Sequence, residues 1–182
     1  MKLKKAKYSA LEVAYYIINY GYKNNIVISN LRLQSILYYA QLKFLKHSKL
    51  CFDEDIIINS NGPTVKSVNE KFKRYGALII PPVKYYYDLS KGFLHMRKVP
   101  YKCKIDKKDR LILTNVILKC CSCSTSKLIQ CSSISASKIS MYYRSNNISG
   151  ENLFKFFTEN NKNNNWRWYF WKKELKRKNF RN

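Results

Sequence analysis

The stretch SNLRLQSILYYAQLKFLKHSKLCFDEDIIINSNGPTVKSVNEKFKRYG, from Ser29 to Gly76, decides the fold. Leu31, Leu33, Ile36, Leu37 and Ala40 recur at helical spacing, which predicts an amphipathic helix capped by Asn30 and running to about Lys46. An acidic turn, Asp53-Glu54-Asp55, follows it, and Ile56, Ile57 and Ile58 then make a short strand-like run. Gly62-Pro63 predicts a tight turn and a helix start, because proline lacks the N–H that a first helical turn leaves unpaired. Val65, Val68 and Phe72 are expected to face the core, with Gly76 as the C-terminal stop.

Working outward, Ser9-Ala10-Leu11-Glu12 has capping-box form. It predicts a helix from Ala10 to about Tyr22, with Leu11, Ala14, Ile18 and Tyr22 on one face. The stretch from Ala77 to Lys104 is different, with Pro81-Pro82, a run of three tyrosines and Gly92. Leu78 to Ile80, Val83 to Tyr87 and Phe93 to Val99 are candidate short strands, with a hairpin closing near Asp88 to Gly92. Asp106 is placed to cap a helix carrying Leu111, Ile112, Asn115 and Leu118. Ser124 or Ser126 starts a short helix through Leu128 and Cys131, and Ser149 starts one containing Leu153, Phe156 and Phe157. The expected architecture is mainly α: a compact single-domain helical bundle with a small β-hairpin-like insertion in the middle. Residues 1–7 read as a basic N-terminal arm, 8–158 as the helical domain, and 159–182 as an Asn-rich linker and a basic aromatic tail.

One domain is the simplest arrangement for 182 residues, 46% of them hydrophobic. No run of about 20 apolar residues is present, so no membrane span is expected. The N-terminus starts basic, but its apolar positions are helix-periodic and no small-residue cleavage site follows; a cytoplasmic location is expected. The formal charge is +24, with 11 acidic residues. An AT-rich coding bias favours Lys and Asn but would favour Glu and Asp as well, so the excess points to contact with a polyanion or an acidic protein. The charge gathers at the two ends. Lys2, Lys4, Lys5 and Lys7 precede the first helix, and seven Lys or Arg stand against Glu174 between Trp166 and Asn182. Lys4, Lys5, Trp166, Arg167, Trp168, Lys172, Lys173, Lys176, Arg177 and Lys178 are the candidate nucleic-acid contacts, cations for phosphates and aromatics for bases. Two other readings of the tail stand beside that one. In the first, Trp166, Tyr169 and Phe170 pack a last helix onto the domain. In the second, the tail meets a membrane surface or a protein.

Catalytic and metal signals are weak. Cys120-x-x-Cys123 has metal or redox spacing, but neither Cys103 nor Cys131 supplies a second pair. His47 and His95 have no accompanying carboxylate pattern. Three consecutive acids, Asp53 to Asp55, point in different directions and suit a solvated turn. The five glycines are scattered and form no phosphate loop. Neither a catalytic site, a cofactor nor a metal is assigned, and the chain reads as a non-enzyme.

Several of these segments carry a family likeness. Tyr8 to Ala14 resembles the opening helix of the Panacea domain, which includes the SocA type. Asn30-Leu31-Arg32-Leu33-Gln34-Ser35-Ile36-Leu37-Tyr38-Tyr39-Ala40-Gln41 is similar to that family's most recognisable helix. Gly62-Pro63 with Val65 resembles its Gly-Pro turn, Lys71 to Gly76 its helix end, and Leu128 and Ile148 to Phe157 its closing helices. The likeness spans residues 8–158 and is strongest in the first half. The chain departs from the family pattern at Ser35, where the family has Lys, and at Asn59, where Trp is common. It departs again at Ser132-Ser133, in place of Thr-His, and at Ile139, in place of a later Trp.

The resemblance implies an antitoxin or phage-associated inhibitor that neutralises a toxin or other protein effector by direct binding, or that delivers it to a protease. Occlusion by a rigid helical face would use aromatic anchors, with Tyr38, Tyr39, Tyr85, Tyr86 and Tyr87 as candidates. The expected protein partner is acidic on the bound face. The second reading is direct nucleic-acid binding, or a mobile-element inhibitor of a host defence nuclease that acts through its basic surface, anti-CRISPR-like.

Overall fold

The computed structural model describes residues 2–88 and 92–161. Its order is α1 (Ala10–Lys23), α2 (Asn30–Leu45), β1 (Ile56–Asn59), β2 (Gly62–Val65), α3 (Lys66–Phe72), β3 (Tyr85–Asp88), β4 (Arg97–Pro100), α4 (Lys107–Cys121), α5 (Thr125–Tyr143), β5 (Asn147–Ile148) and α6 (Gly150–Asn161). The chain is a mainly helical single domain with small antiparallel sheets inserted mid-chain, as the periodicity predicts.

α2 is the central element. It packs against α1, α3, α4, α5, α6 and β2. That position explains its sequence: Leu33 through Gln41 are buried without a break, so α2 has no polar face along this stretch. Its buried leucine and isoleucine side chains each contribute about 1.5–3 kcal/mol through lost contact with water. The polar members pair internally. Gln41 Oε1 accepts the backbone N–H of Cys51 (2.9 Å) and Phe52 (3.3 Å), and its Nε2 donates to the Phe52 carbonyl at 3.2 Å. Gln34 Oε1 accepts the Val65 N–H at 2.8 Å, fastening α2 to the end of β2.

β1 lies between β2 and β5, antiparallel to both, with Ile56 opposite Val65 on one side and Ile148 on the other. The acidic turn before β1 acts as a bracket. Asp53 Oδ1 accepts the Ala6 N–H (3.3 Å), Glu54 Oε1 accepts the Ala10 N–H (3.2 Å), and Asp55 Oδ2 accepts the Asn147 side-chain amide (3.0 Å). Glu54 also takes the Ser67 hydroxyl. One carboxylate therefore serves the positive end of α1, where a negative charge is favoured, and the start of α3.

Several local expectations change. The α1 capping box is present as read, with Ser9 and Glu12 reciprocally bonded. The cap of α2 is Ser29, not Asn30: Ser29 Oγ accepts the Arg32 N–H at 3.4 Å. Asn30 already lies in the helix and donates to Asn69 Oδ1 at 2.9 Å. Gly62-Pro63 does not open a helix. It lies in β2, with Gly62 at φ +96°, and α3 begins at Lys66. Leu78 to Ile80 forms no strand; the Ile80 N–H donates to the Ile28 carbonyl at 2.9 Å and holds the segment against α2's entry. Asp106 sits at the α4 cap position without capping it, because its carboxylate takes the Lys7 ammonium at 2.9 Å instead. α5 is long rather than short, running from the Ser124 cap to Tyr143.

The N-terminal segment is strapped to the domain. Lys4 donates its N–H to the Ser48 carbonyl (2.8 Å) and accepts the Leu50 N–H (3.0 Å), and Tyr8 bridges to Phe52. The Tyr8 hydroxyl donates to Asp109 Oδ2 at 3.0 Å, and Lys49 pairs with the other oxygen of that carboxylate. Asp109 is buried, and these two donors satisfy it.

Candidate partner-binding surface

The five tyrosines named as anchors divide between the inside and the outside of the domain. Tyr38 is 1% exposed and Tyr39 5%, so both are core residues and offer a partner nothing. Their rings meet edge to face with centroids 5.4 Å apart, and the Tyr38 and Ser135 hydroxyls lie 2.8 Å apart between α2 and α5. Burial holds both phenols well above the usual tyrosine range. The Tyr-Tyr pair reads as an exposed aromatic stripe only if α2 is taken as a surface helix, which it is not.

Tyr85, Tyr86 and Tyr87 fall in the β3–β4 hairpin, and alternation sorts them. Tyr85 and Tyr87 point to solvent, 51% and 55% exposed, while Tyr86 and its cross-strand partner Val99 are half-buried. Lys98 stands opposite Tyr87, and its ammonium lies over the Tyr85 ring, 4.5 Å from the centroid. This diagonal cross-strand cation–π contact, worth about 0.5–1 kcal/mol at an exposed site, biases the Tyr85 ring toward one orientation.

Other exposed apolar side chains adjoin the strands in sequence. Leu94, at 94% exposure, and Met96 precede β4, and Leu78 and Ile79 lie in the segment leading to β3. Lys84, Arg97 and Lys98 supply exposed positive charge. Runs of apolar exposure rimmed by charge mark interaction sites on soluble proteins.

The root of the hairpin is well held. Asn19 on α1 donates to the Val83 carbonyl (3.0 Å) and accepts its N–H (2.7 Å), a two-bond clamp on the entering strand. On the leaving strand the Tyr101 N–H donates to the Lys84 carbonyl at 2.9 Å. The Tyr101 ring packs edge to face on Tyr15, with centroids 6.0 Å apart. The hairpin is thus an arm of paired strands fixed at its base to α1.

The nucleic-acid candidates separate similarly. Lys4 and Lys5 have exposed side chains on the strapped N-terminal segment. Trp166, Arg167, Trp168, Lys172, Lys173, Lys176, Arg177 and Lys178 lie outside the described residues. Positive charge also gathers on the body of the domain. Lys46 feels Lys43 and Lys119; burial first, and these like charges second, lower its pKa to about 8.

Among the described residues, no three His, Cys, Asp or Glu side chains are grouped so as to hold a metal ion, the closely spaced Cys120, Cys121 and Cys123 included. Cys120 is buried, and its carbonyl accepts the Cys123 thiol at 3.5 Å. Arg32 crosses from α2 to this corner, donating to the Cys123 carbonyl (2.9 Å) and to Thr125 Oγ1 (3.0 Å). Its role is to join α2 to the α4–α5 turn. Among the described residues, no helix is long and apolar enough to cross a membrane.

Sequence reasoning missed Leu94, Met96 and Lys98 as parts of the surface. For Lys98 the signal was the alternation of Tyr85 and Tyr87 with Tyr86, which places it opposite Tyr87 once the hairpin register is known. Compared with protein families, curated proteins and solved structures, the chain has no match.

Proposed function

We propose that this chain is a Panacea-like antitoxin or phage-associated inhibitor, a binding protein rather than an enzyme, that neutralises an acidic protein effector through its β3–β4 hairpin. The observation that carries the reading is the hairpin itself: Tyr85 and Tyr87 exposed on one face, with Lys98 lying over Tyr85, on an arm clamped to α1 through Asn19 and Val83. Aromatic anchors on a rigid base lose little entropy on binding, and a cationic rim steers an acidic partner.

The family part of the proposal rests on the sequence likeness alone, and two of the departures from it are neighbours in the fold. Ser35, in place of the family's Lys, and Ser132, in place of its Thr, face each other with hydroxyls 3.0 Å apart.

The test is capture from the native host by a photo-reactive group placed at Tyr87, with and without nuclease treatment. The expected product is one acidic protein, crosslinked after nuclease treatment and lost when Tyr85→Ala/Lys98→Ala is introduced into the chain carrying the same group at position 87. Crosslinks that vanish with nuclease would overturn it.

Direct nucleic-acid binding is the second reading, favoured by the +24 charge and the exposed Lys4 and Lys5. It predicts a steep loss of affinity with salt, which an aromatic-anchored interface would not show.

A further inference from the structure

Helix α4 carries large apolar side chains on two opposite faces. Leu113, Val116, Ile117 and Cys120 are buried against the domain, together with Asp109. On the other side Lys108, Leu111, Asn115, Leu118 and Ser122 fall on one stripe, spaced three and four residues apart as the two seam positions of a heptad are. Leu111 is 64% exposed and Leu118 49%. A surface helix with one buried stripe has no need of a second, so the outer one is unexplained by the fold.

The charges around this stripe have one sign. Lys107 and Lys108 begin it and Lys119 flanks its far end, all three exposed. Asp109, the only acid of the helix, faces inward and is taken by Lys49 and the Tyr8 hydroxyl, so none of its charge reaches the outer face.

We infer that the outer face of α4 docks an acidic amphipathic helix of a partner protein, with leucine-type side chains meeting Leu111 and Leu118 and carboxylates meeting Lys107, Lys108 and Lys119. Asn115 lies between the two leucines, where a polar seam residue sets register and rejects partners lacking a matching group. A second copy of this chain is disfavoured as occupant, because an isologous contact would oppose lysine to lysine. Nucleic acid has no use for the two leucines. The surface shares no residue with the β3–β4 hairpin and does not depend on the role proposed for it.

The test uses the full chain and synthetic helical peptides of about three heptads with leucine at the seam positions. One peptide carries Glu at the flanking positions, one carries Lys, and a third is a scramble of the Glu peptide. Fluorescence anisotropy should show the Glu peptide bound and the other two at least about tenfold weaker. The Leu111→Ser/Leu118→Ser variant, altered only at exposed positions and checked by circular dichroism, should lose the Glu peptide by a similar factor. Equal binding of the scramble, or unchanged binding by the variant, would reduce the effect to bulk charge and overturn the proposal. Sedimentation of the chain alone as a dimer that the same variant dissolves would also overturn it, in favour of self-association.

Discussion

The hydroxyls of Ser35 and Ser132 meet 3.0 Å apart at the buried seam between α2 and α5, and the Ser132 hydroxyl lies 3.0 Å from the Ile129 carbonyl. A hydroxyl has one proton. If Ser132 donates to Ile129, Ser35 must donate to Ser132, and the two substitutions are then unequal. Ser132→Ala strands the Ser35 donor in a site only 2% exposed, costing about 1–3 kcal/mol. Ser35→Ala leaves Ser132 satisfied and should cost less than about 1 kcal/mol. The double variant should be more stable than Ser132→Ala alone. Urea unfolding of the three variants measures this; a larger cost for Ser35→Ala than for Ser132→Ala would reverse the assigned direction, and equal costs would overturn it.

Gly62 stands at φ +96°, and a Cβ there would lie 2.6 Å from Ser133 Oγ. The Ser133 hydroxyl can rotate away, so the backbone conformation sets the penalty. Gly62→Ala is expected to destabilise the fold by about 1–3 kcal/mol. Gly76→Ala, with a positive φ but open space around it, tests how much of that belongs to the backbone alone.

Asp109 joins three segments distant in sequence: the strap through Tyr8, the turn after α2 through Lys49, and α4 itself. Asp109→Asn keeps the shape but removes the charge that Lys49, three-quarters buried, depends on. A loss of about 3 kcal/mol is expected, the low end for breaking a buried pair because Lys49 retains some contact with water. Hydrogen exchange should show Lys4 and Leu50 amides losing protection before the α2 amides do.

Burial raises the phenols of Tyr8, Tyr38 and Tyr39. In the unfolded chain they ionise near pH 10. The folded form holds its protons longer, so their contribution to stability is complete below that pH and is lost as pH rises beyond it. Absorbance of tyrosinate on alkaline titration should rise in two stages. The second stage, from the buried three, should appear only together with loss of helical circular dichroism.

Lys46 behaves in the opposite sense. Burial and the neighbouring Lys43 and Lys119 lower its pKa to about 8, so near that pH a large share of its amine is neutral. Brief acetylation at pH about 8 should modify Lys46 ahead of lysines with ordinary values near 10.4. Between those two values the unfolded chain binds the extra proton, so this residue favours the folded state as pH rises through that window. The Lys119→Gln variant should raise its pKa and slow its labelling.

The helical half of this architecture was legible because capping and periodicity are local. Ser9 and Glu12 predict α1, and Gly76 predicts the stop after α3. What was not legible depended on partners distant in the chain. Tyr38 and Tyr39 look like surface anchors until α4 and α5 close over α2. Gly62-Pro63 looks like a helix start until β1 pairs with it. Leu111 and Leu118 read as the helix-periodic apolar positions of α4, yet the side that packs is Leu113, Val116 and Ile117; with apolar residues on both sides of the helix, spacing alone does not tell which side faces inward. For the surface, the tyrosine run was visible, but only the pairing register tells which rings face out and which lysine crosses over them.

The strap has a consequence for how the protein is made. Tyr8 waits for Asp109, 101 residues later, and Ser35 waits for Ser132, 97 residues later. A nascent chain emerging from the ribosome therefore exposes the core-facing sides of α1 and α2 until α4 and α5 have followed. Long-range closure of this kind slows folding and prolongs exposure to aggregation or to a protease. A chain stopped after α3 would lack the elements that cover α2 and should be rapidly digested, so the supply of competent protein would be set by completed synthesis.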